Sequence, residues 1–365
     1  MKILSVVGTR PNFVKTAPVV AEIGKREGLE SVLVHTGQHY DEAMSTIFFE
    51  QLGVGTPDHM LGVGSGSHTQ VLASVMQTLE PVLEAERPDI VLVPGDVNST
   101  LAATLTAVKM GIPVAHLEAG LRSFDRSMPE ETNRVLTDAV SEILLTHSPE
   151  AKANLVREGR SALNVFEVGN TMIDSLFALR DRFDSAGPRA ALGVEGDYLL
   201  VTLHRPALVD GELLGEAIAA LNEVAAATPV VFPVHPRTRI RMNQENLTPA
   251  PGLHLVEPLG YFEFMGLVEK AKGVITDSGG VQEETTVLGI PCFTLRDNTE
   301  RPVTVSQGTN TLLGLDPARI REVPQMIEGF DAAAADIPVG WDGKAAVRTV
   351  DVLEAFPESR RQQSE

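Results

Sequence analysis

Short apolar runs alternate with amphipathic stretches along almost the whole chain. In the first half, KILSVVG, SVLVHT, DIVLVPG, PVAHLE, EILLTHS and NVFEVG read as strands. Between them, TAPVVAEIGKR, STLAATLTAVKMG, RVLTDAVS and EAKANLVREG carry apolar residues at helical spacing. Strands that are apolar on both faces belong in a parallel sheet with helices on each side. The second half repeats the plan. DYLLVTLH, PVVFPVH, LHLVEP, GVITDS and PCFTLR alternate with helical patterns at ELLGEAIAALNEVAAA, YFEFMGLVEKA and GVQEETTVLG. A seam is expected around DSAGPRAALGVEGD. The pattern predicts an α/β chain with two Rossmann-like domains, their parallel sheets facing a central cleft. The expected domains are 1–170 and 171–341. A terminal helix, about 342–358, is expected to cross back onto the first domain.

Composition narrows the partners. The chain has 365 residues, 43% of them hydrophobic, and a formal net charge of −19. So acidic a chain is a poor match for nucleic acid, whose phosphates need a basic face. No apolar run approaches the length of a membrane span. The opening MKILSVVG reads as a first strand rather than a signal peptide. The single cysteine, Cys292, sits in the apolar run GIPCFTL and reads as a core residue of a reducing compartment. A cytoplasmic location is therefore expected.

In doubly wound sheets, ligands bind beyond the carboxyl ends of the strands. Those ends carry the polar chemistry here. The first strand delivers GTRPNFVK, with Gly8 at a turn, Arg10 beyond it and Lys15 one turn into a helix. That arrangement favours an anion at the helix start, or is an ordinary turn with a solvated arginine. PGDVNST places Asp96 after Gly95, either as a helix cap or as an acid/base group. PVAHLE ends in His116 and Glu118. A carboxylate closing so apolar a strand is costly to bury without a partner or a task. Glu130 and Arg134 follow on one face of a helix that begins at Pro129, a spacing that also suits a surface ion pair. Carboxylates converging from adjacent strand ends would repel and raise at least one pKa toward the range useful for proton transfer.

The second half supplies positive and neutral donors. TLHRP brings His204 and Arg205, PVHPR brings His235 and Arg237, and RDNTERP brings Arg296 and Arg301. TDSGGVQEE sets Ser278, Gly279 and Gly280 at a helix start, a seat for a diphosphate. Glu284, one turn on, can accept ribose hydroxyls. The histidines show no metal-ligand spacing, so no metal and no other cofactor is expected.

Together, GTRP…K, GD…T, HLEAGLR, PEE.NR, HR, PVHP and TDSGG.QEE…G.P…R..TERPV resemble the non-hydrolysing UDP-N-acetylglucosamine 2-epimerases. The resemblance runs from Lys2 to about Thr311. It implies a GT-B-like fold, a homodimer, and interconversion of UDP-GlcNAc and UDP-ManNAc without NAD or metal. It assigns Asp96, Glu118 and Glu130 to acid/base work at the sugar C2. It sets Arg10, Ser278, Gly279 and Gly280 on the departing UDP, with His204 protonating or hydrogen-bonding the diphosphate. Arg134 would hold a carboxylate or phosphate, Glu284 the ribose, and Phe264 a place near the uracil. Lys15, His235 and Arg301 complete the substrate-binding candidates.

Three departures from the family pattern stand out. Asn12 replaces the glutamate of GTRPE. Ala207 and Leu208 replace a Glu-Asn pair after HR. Gln38 and His39 match part of a regulatory motif for a second UDP-GlcNAc, but Asp41 and SGSHTQ do not match the rest, which argues against substrate activation. The competing readings are a hydrolysing epimerase that releases ManNAc and UDP, a GT-B glycosyltransferase, and a non-catalytic UDP-sugar binder.

Overall fold

The computed structural model describes residues 1–37, 53 and 55–363. Gln38, His39 and the side chain of Arg10 lie outside what it describes. The chain divides into two compact units, Met1–Ala178 with Val339–Glu365, and Leu179–Pro338.

The first unit runs β1 Lys2–Val7, α1 Arg10–Ile23, β2 Glu30–His35, β3 His59–Met60, α2 His68–Glu86, β4 Ile90–Pro94, α3 Asn98–Lys109, β5 Val114–Leu117, α4 Pro129–Val140, β6 Ile143–Thr146, α5 Pro149–Arg157, β7 Val165–Glu167 and α6 Thr171–Leu179. Its strands form one sheet in the order β3-β2-β1-β4-β5-β6-β7, every pair parallel. The winding reverses between β1 and β4. Apolar residues from the two sheet faces pack into separate helix layers, around Ile3, Leu92 and Leu117 on one side and Leu4, Val91 and Val93 on the other. That alternation is why the strand sequences read as continuously apolar. The short β3 and the long α2 were not singled out from sequence. Ser67 caps α2 with a reciprocal bond pattern involving Gln70.

Helix α6, expected from the sequence to open the second domain, belongs to the first unit. Its Asp174 accepts the backbone N–H groups of Ala345 and Ala346, at 3.1 and 2.7 Å, and so caps the last helix. Burial raises the Asp174 carboxyl, and those two N–H groups partly offset the rise. Trp341 is buried and donates from Nε1 to the His147 carbonyl at 2.9 Å.

The second unit runs α7 Ala186–Leu192, β8 Leu199–Thr202, α8 Pro206–Val209, α9 Leu213–Ala225, β9 Val230–Pro233, α10 Pro236–Gln244, β10 Leu253–Val256, α11 Tyr261–Lys270, β11 Gly273–Thr276, α12 Gly279–Leu288, β12 Cys292–Thr294, α13 Pro302–Ser306, β13 Asn310–Leu312 and α14 Val323–Glu328. The sheet order is β10-β9-β8-β11-β12-β13, again all parallel, and reverses between β8 and β11. The closing helix, α15 Ala345–Gln363, returns to the first unit, where Val350 and Leu353 join the Ile3 core. No helix among the described residues is long and apolar enough to cross a membrane.

Candidate functional site

Each sheet presents polar side chains at its own reversal point, where a crevice opens between strands that wind in opposite directions. In the first unit these come from the ends of β1, β4 and β5.

After β1, Asn12 ties two strand ends together. Its Oδ1 accepts from the backbone of Gly8 and Thr9 at 3.4 and 3.2 Å, and its Nδ2 donates to the Pro94 carbonyl at 3.1 Å. A glutamate cannot make the last bond, because an ionised carboxylate only accepts. The departure at Asn12 thus has a structural role. One turn further, Lys15 is buried and its Nζ lies 2.5 Å from Glu118 Oε2. Glu118 Oε1 is buried with no hydrogen-bond partner among the described residues. Glu118 also takes a left-handed backbone, φ 68°. Few residues with a Cβ tolerate that conformation, and it turns the chain sharply off β5. Gly95 sits against this cluster at φ 66°, where a Cβ would come within 3.3 Å of Asn12 Nδ2 and 3.4 Å of Lys15 Nζ. Asn12, Lys15, Glu118 and the Gly95–Asp96 turn are therefore neighbours.

Helix α4 holds Asp96. Arg134 reaches Asp96 Oδ2 at 2.5 Å and Glu131 Oε2 at 2.8 Å. Asn133 donates to the Asp96 carbonyl at 2.9 Å. Glu131 also accepts the N–H and hydroxyl of Ser123 and the N–H of Phe124, each at 2.9 Å. The surface ion pair that the four-residue spacing of Glu130 and Arg134 also suits does not form among the described residues. Arg134 turns inward to Glu131 and Asp96. Glu130 stays half-exposed in the first turn, without a hydrogen bond or ion pair to another described residue. Glu131 and Asp138 were missed in the sequence because charges at such spacings usually mark a solvated face. Here the polar stripe of α4 is buried, and Leu136 and Val140 are exposed.

The second unit builds a different kind of site. Asp277 ends β11 and accepts the backbone N–H groups of His204 and Arg205 at 2.8 and 2.7 Å. Its other oxygen lies 2.8 Å from His204 Nδ1. Burial would raise the Asp277 carboxyl, but His204 and the two N–H groups outweigh it and hold the carboxyl below its usual value. The His235 ring lies 6.0 Å from that of His204. Burial, then His204 and Arg237, lower the His235 pKa. Ser278 occupies the cap position of α12 without a side-chain cap bond. The first N–H groups of that helix, at Gly279 and Gly280, have no partner one turn back. The Arg301 guanidinium lies against Gly279, close enough that a Cβ there would displace it, and its Nε is 2.8 Å from Glu283 Oε1.

Glu284 is buried one turn into α12, where Tyr261 donates to its Oε1 at 3.3 Å. Burial, then the neighbouring Glu283, pushes its pKa up to about 8. Phe264 is half-buried on α11, the helix that carries Tyr261. Leu208 is fully buried in the second unit's core and Ala207 is exposed, so the Ala-Leu departure adds one core contact and one surface methyl. Asp277, Gln282 and Tyr261 were not assigned from sequence. Gln282 binds the Ser278 carbonyl, Thr299 and Asn310, and so fixes the loop around the helix start. Among the described residues no group of His, Cys, Asp and Glu is placed to hold a metal ion.

Comparison with known proteins places this geometry in a family. The family model described as UDP-N-acetylglucosamine 2-epimerase matches residues 21–354. A UDP-N-acetylglucosamine 2-epimerase of Methanococcus maripaludis is 42% identical over 330 residues, 87% of this chain and 89% of that protein. A Pseudomonas aeruginosa UDP-2,3-diacetamido-2,3-dideoxy-D-glucuronate 2-epimerase is 43% identical, over 86% of this chain and 88% of that protein. The crystal structure of Methanocaldococcus jannaschii UDP-GlcNAc 2-epimerase in complex with UDP-GlcNAc and UDP superposes with a TM-score of 0.88 at 40% identity, covering 97% of this chain and 99% of that one. The two parallel α/β sheets are those of a GT-B-like fold. The chain belongs to the UDP-N-acetylglucosamine 2-epimerase family.

Proposed function

We propose that this protein interconverts UDP-GlcNAc and UDP-ManNAc by eliminating UDP and adding it back. The observation that carries this reading is the pair of strand-end carboxylates in the first unit. Glu118 and Asp96 close adjacent parallel strands, and each has one oxygen against a buried cation, Lys15 or Arg134. A cation beside a carboxylate allows it to stay ionised in a site largely shielded from water.

The C2–H of a pyranose is barely acidic. It becomes removable once the C1–O bond to UDP has begun to break and C1 carries positive charge. The electrons of C1–O leave with UDP, a carboxylate takes the C2 proton, and C1=C2 of 2-acetamidoglucal forms. In the return step a proton reaches C2 from the opposite face and the UDP oxygen closes on C1. Inversion therefore calls for acid/base groups at both faces, a task assigned to Asp96, Glu118 and Glu130. The departing diphosphate suits the α12 N-terminus, with Ser278, Gly279, Gly280 and Arg301 around it and His204 as proton donor. Arg10, Lys15, Arg134 and His235 complete the assignment, with Glu284 on the ribose and Phe264 near the base. A homodimer in the cytoplasm, working without a cofactor, belongs to the same reading.

Proton NMR of UDP-GlcNAc incubated with the pure protein in D2O tests it. Loss of the C2–H signal together with deuterated UDP-ManNAc is the expected outcome. Free ManNAc would instead mark the hydrolysing reaction. A second substrate is worth running in parallel, because the Pseudomonas relative of similar identity is named for a UDP-2,3-diacetamido-2,3-dideoxy-glucuronate. C2 exchange in that sugar and none in UDP-GlcNAc would move the assignment to it.

A further inference from the structure

Behind the strand-end carboxylates, the first unit buries three linked side chains, His116, Asp138 and Arg122, and the chain ends on the exposed Glu158. His116, on β5, is 0% exposed. Its Nδ1 lies 2.6 Å from Asp138 Oδ1 and its Nε2 lies 2.7 Å from the Gly95 carbonyl oxygen. Both partners are acceptors. A neutral imidazole carries one N–H and would set a ring lone pair against an oxygen at one of those contacts; only the imidazolium satisfies both. Asp138, on α4, also accepts the Gly120 N–H at 3.0 Å and meets Arg122 Nη1 at 2.7 Å. Arg122 then forks onto Glu158, at the end of α5, at 2.8 and 2.6 Å. Asp138 is the buried counter-charge of His116, and Arg122 is shared between Asp138 and the exposed Glu158, so each cation faces a carboxylate, the condition under which a buried imidazolium is tolerable. Burial would raise the Asp138 carboxyl, yet His116 and Arg122 together hold it below its ordinary value. On the sheet, His116 stands in register between Val93 of β4 and Leu144 of β6.

The Gly95 peptide is held at both ends. Its N–H donates to the Leu117 carbonyl at 2.9 Å, and its carbonyl accepts from His116. The next residue is Asp96, whose own carbonyl is fixed by Asn133 and whose carboxylate meets Arg134. We propose that His116 is a positioning residue, whose two ring nitrogens lock the Gly95–Asp96 turn onto Asp138 and so set the aim of the Asp96 carboxylate. It does not touch substrate; it acts through the Gly95 peptide. The proposal rests on Asp96 being an acid/base group of the epimerase reaction.

The test has two arms. In protein labelled with 15N-histidine, the buried ring of His116 should show two slowly exchanging N–H groups, one toward Asp138 and one toward the Gly95 carbonyl. A ring nitrogen without a proton would overturn the proposal. In the kinetic arm, His116→Asn keeps a donor toward Asp138 and loses the tie to Gly95. Its kcat should fall about 100-fold, the scale of a small misplacement of a catalytic group. KM and UDP affinity should stay near wild type. His116→Gln, whose amide reaches the Nε2 position, should recover part of the loss. Wild-type kcat in His116→Asn would overturn the proposal, as would a loss that merely follows the folded fraction. Should His116→Asn fail to fold, the ring spectrum of the wild-type protein still decides. That spectrum needs no substrate. A wild-type protein that leaves UDP-GlcNAc unchanged would therefore strike down the proposed activity while the ring still reported on His116.

Discussion

Each unit contains one histidine paired with one buried aspartate at its reversal point, and the two pairs differ in what the second ring nitrogen meets. In the first unit both nitrogens of His116 are taken, by Asp138 and by the Gly95 carbonyl, and the ring is sealed from solvent. In the second, Asp277 engages His204 Nδ1, while the side chain is 41% exposed and makes no further hydrogen bond among the described residues. The same pair of residue types therefore yields a sealed ring with both nitrogens engaged in one place and a half-exposed ring with one nitrogen engaged in the other. A histidine's partners and exposure, more than its aspartate, decide which it becomes.

Mutation should separate the two pairs most widely in the second unit's chemistry. His204→Gln is expected to lower kcat about 10²–10⁴-fold, the usual worth of a proton donor. Its melting temperature should barely move, because the ring is half-exposed. A rate within a factor of two of wild type would make His204 a bystander. Next in size is the cost of removing each aspartate's charge. Asp138→Asn leaves His116 buried without its counter-charge, and Arg122 with Glu158 alone, and should cost about 3–5 kcal/mol in urea unfolding. Asp277→Asn should cost less, since His204 can turn to water. Equal losses would erase the distinction.

Acid should reveal the same aspartates. Both carboxyls are held below their usual pKa in the folded protein. Their stabilisation is therefore fully present above the unfolded value of about 3.9 and is lost as pH falls below it. Asp138→Asn should flatten the fall in stability below pH 4.

Glu284 runs the opposite way. Its folded pKa of about 8 lies above the unfolded value, so folding favours its proton. Its contribution is most favourable below the unfolded value of about 4.3 and declines until pH passes 8. If the ionised form accepts the ribose hydroxyls, UDP affinity should climb up to about tenfold per pH unit toward 8 and then level. Glu284→Gln should abolish that slope in calorimetric titrations; an unchanged slope would take Glu284 out of the site. The smallest expected effect is at Asn12. Asn12→Asp sets a carboxylate against the Pro94 carbonyl and should cost about 1–3 kcal/mol. A neutral result would show that the two strand ends do not depend on this tie.

Much of this was legible in the sequence, for identifiable reasons. Buried parallel strands are apolar on both faces, so β1, β4, β5 and β11 stand out as runs. The two-residue β3 and the three-residue β13 are polar edge strands, and nothing local marks them. Glu118 was conspicuous because a carboxylate on so apolar a strand needs a reason. Its left-handed backbone was not, since that conformation depends on what surrounds it. Helix α4 misleads most. Glu131, Arg134 and Asp138 recur at the spacing of a wet surface, yet they face inward because Asp96, Ser123, Gly120 and His116 wait there for them. Which side of an amphipathic helix is buried follows from its partners, and those lie elsewhere in the chain.

The first unit is built from both ends of the chain, with Leu179–Pro338 inserted between them. On a ribosome its seven strands emerge early, but Trp341 and helix α15 arrive last. At about 5–20 residues per second, the unit waits roughly ten seconds or more for its final layer. Until then Asp174 has no helix to cap, and the apolar face that Val350 and Leu353 will cover is open. Newly made chains therefore pass through a stage in which the second unit can be complete while the first is not. A chain truncated before Val339 would be held at that stage.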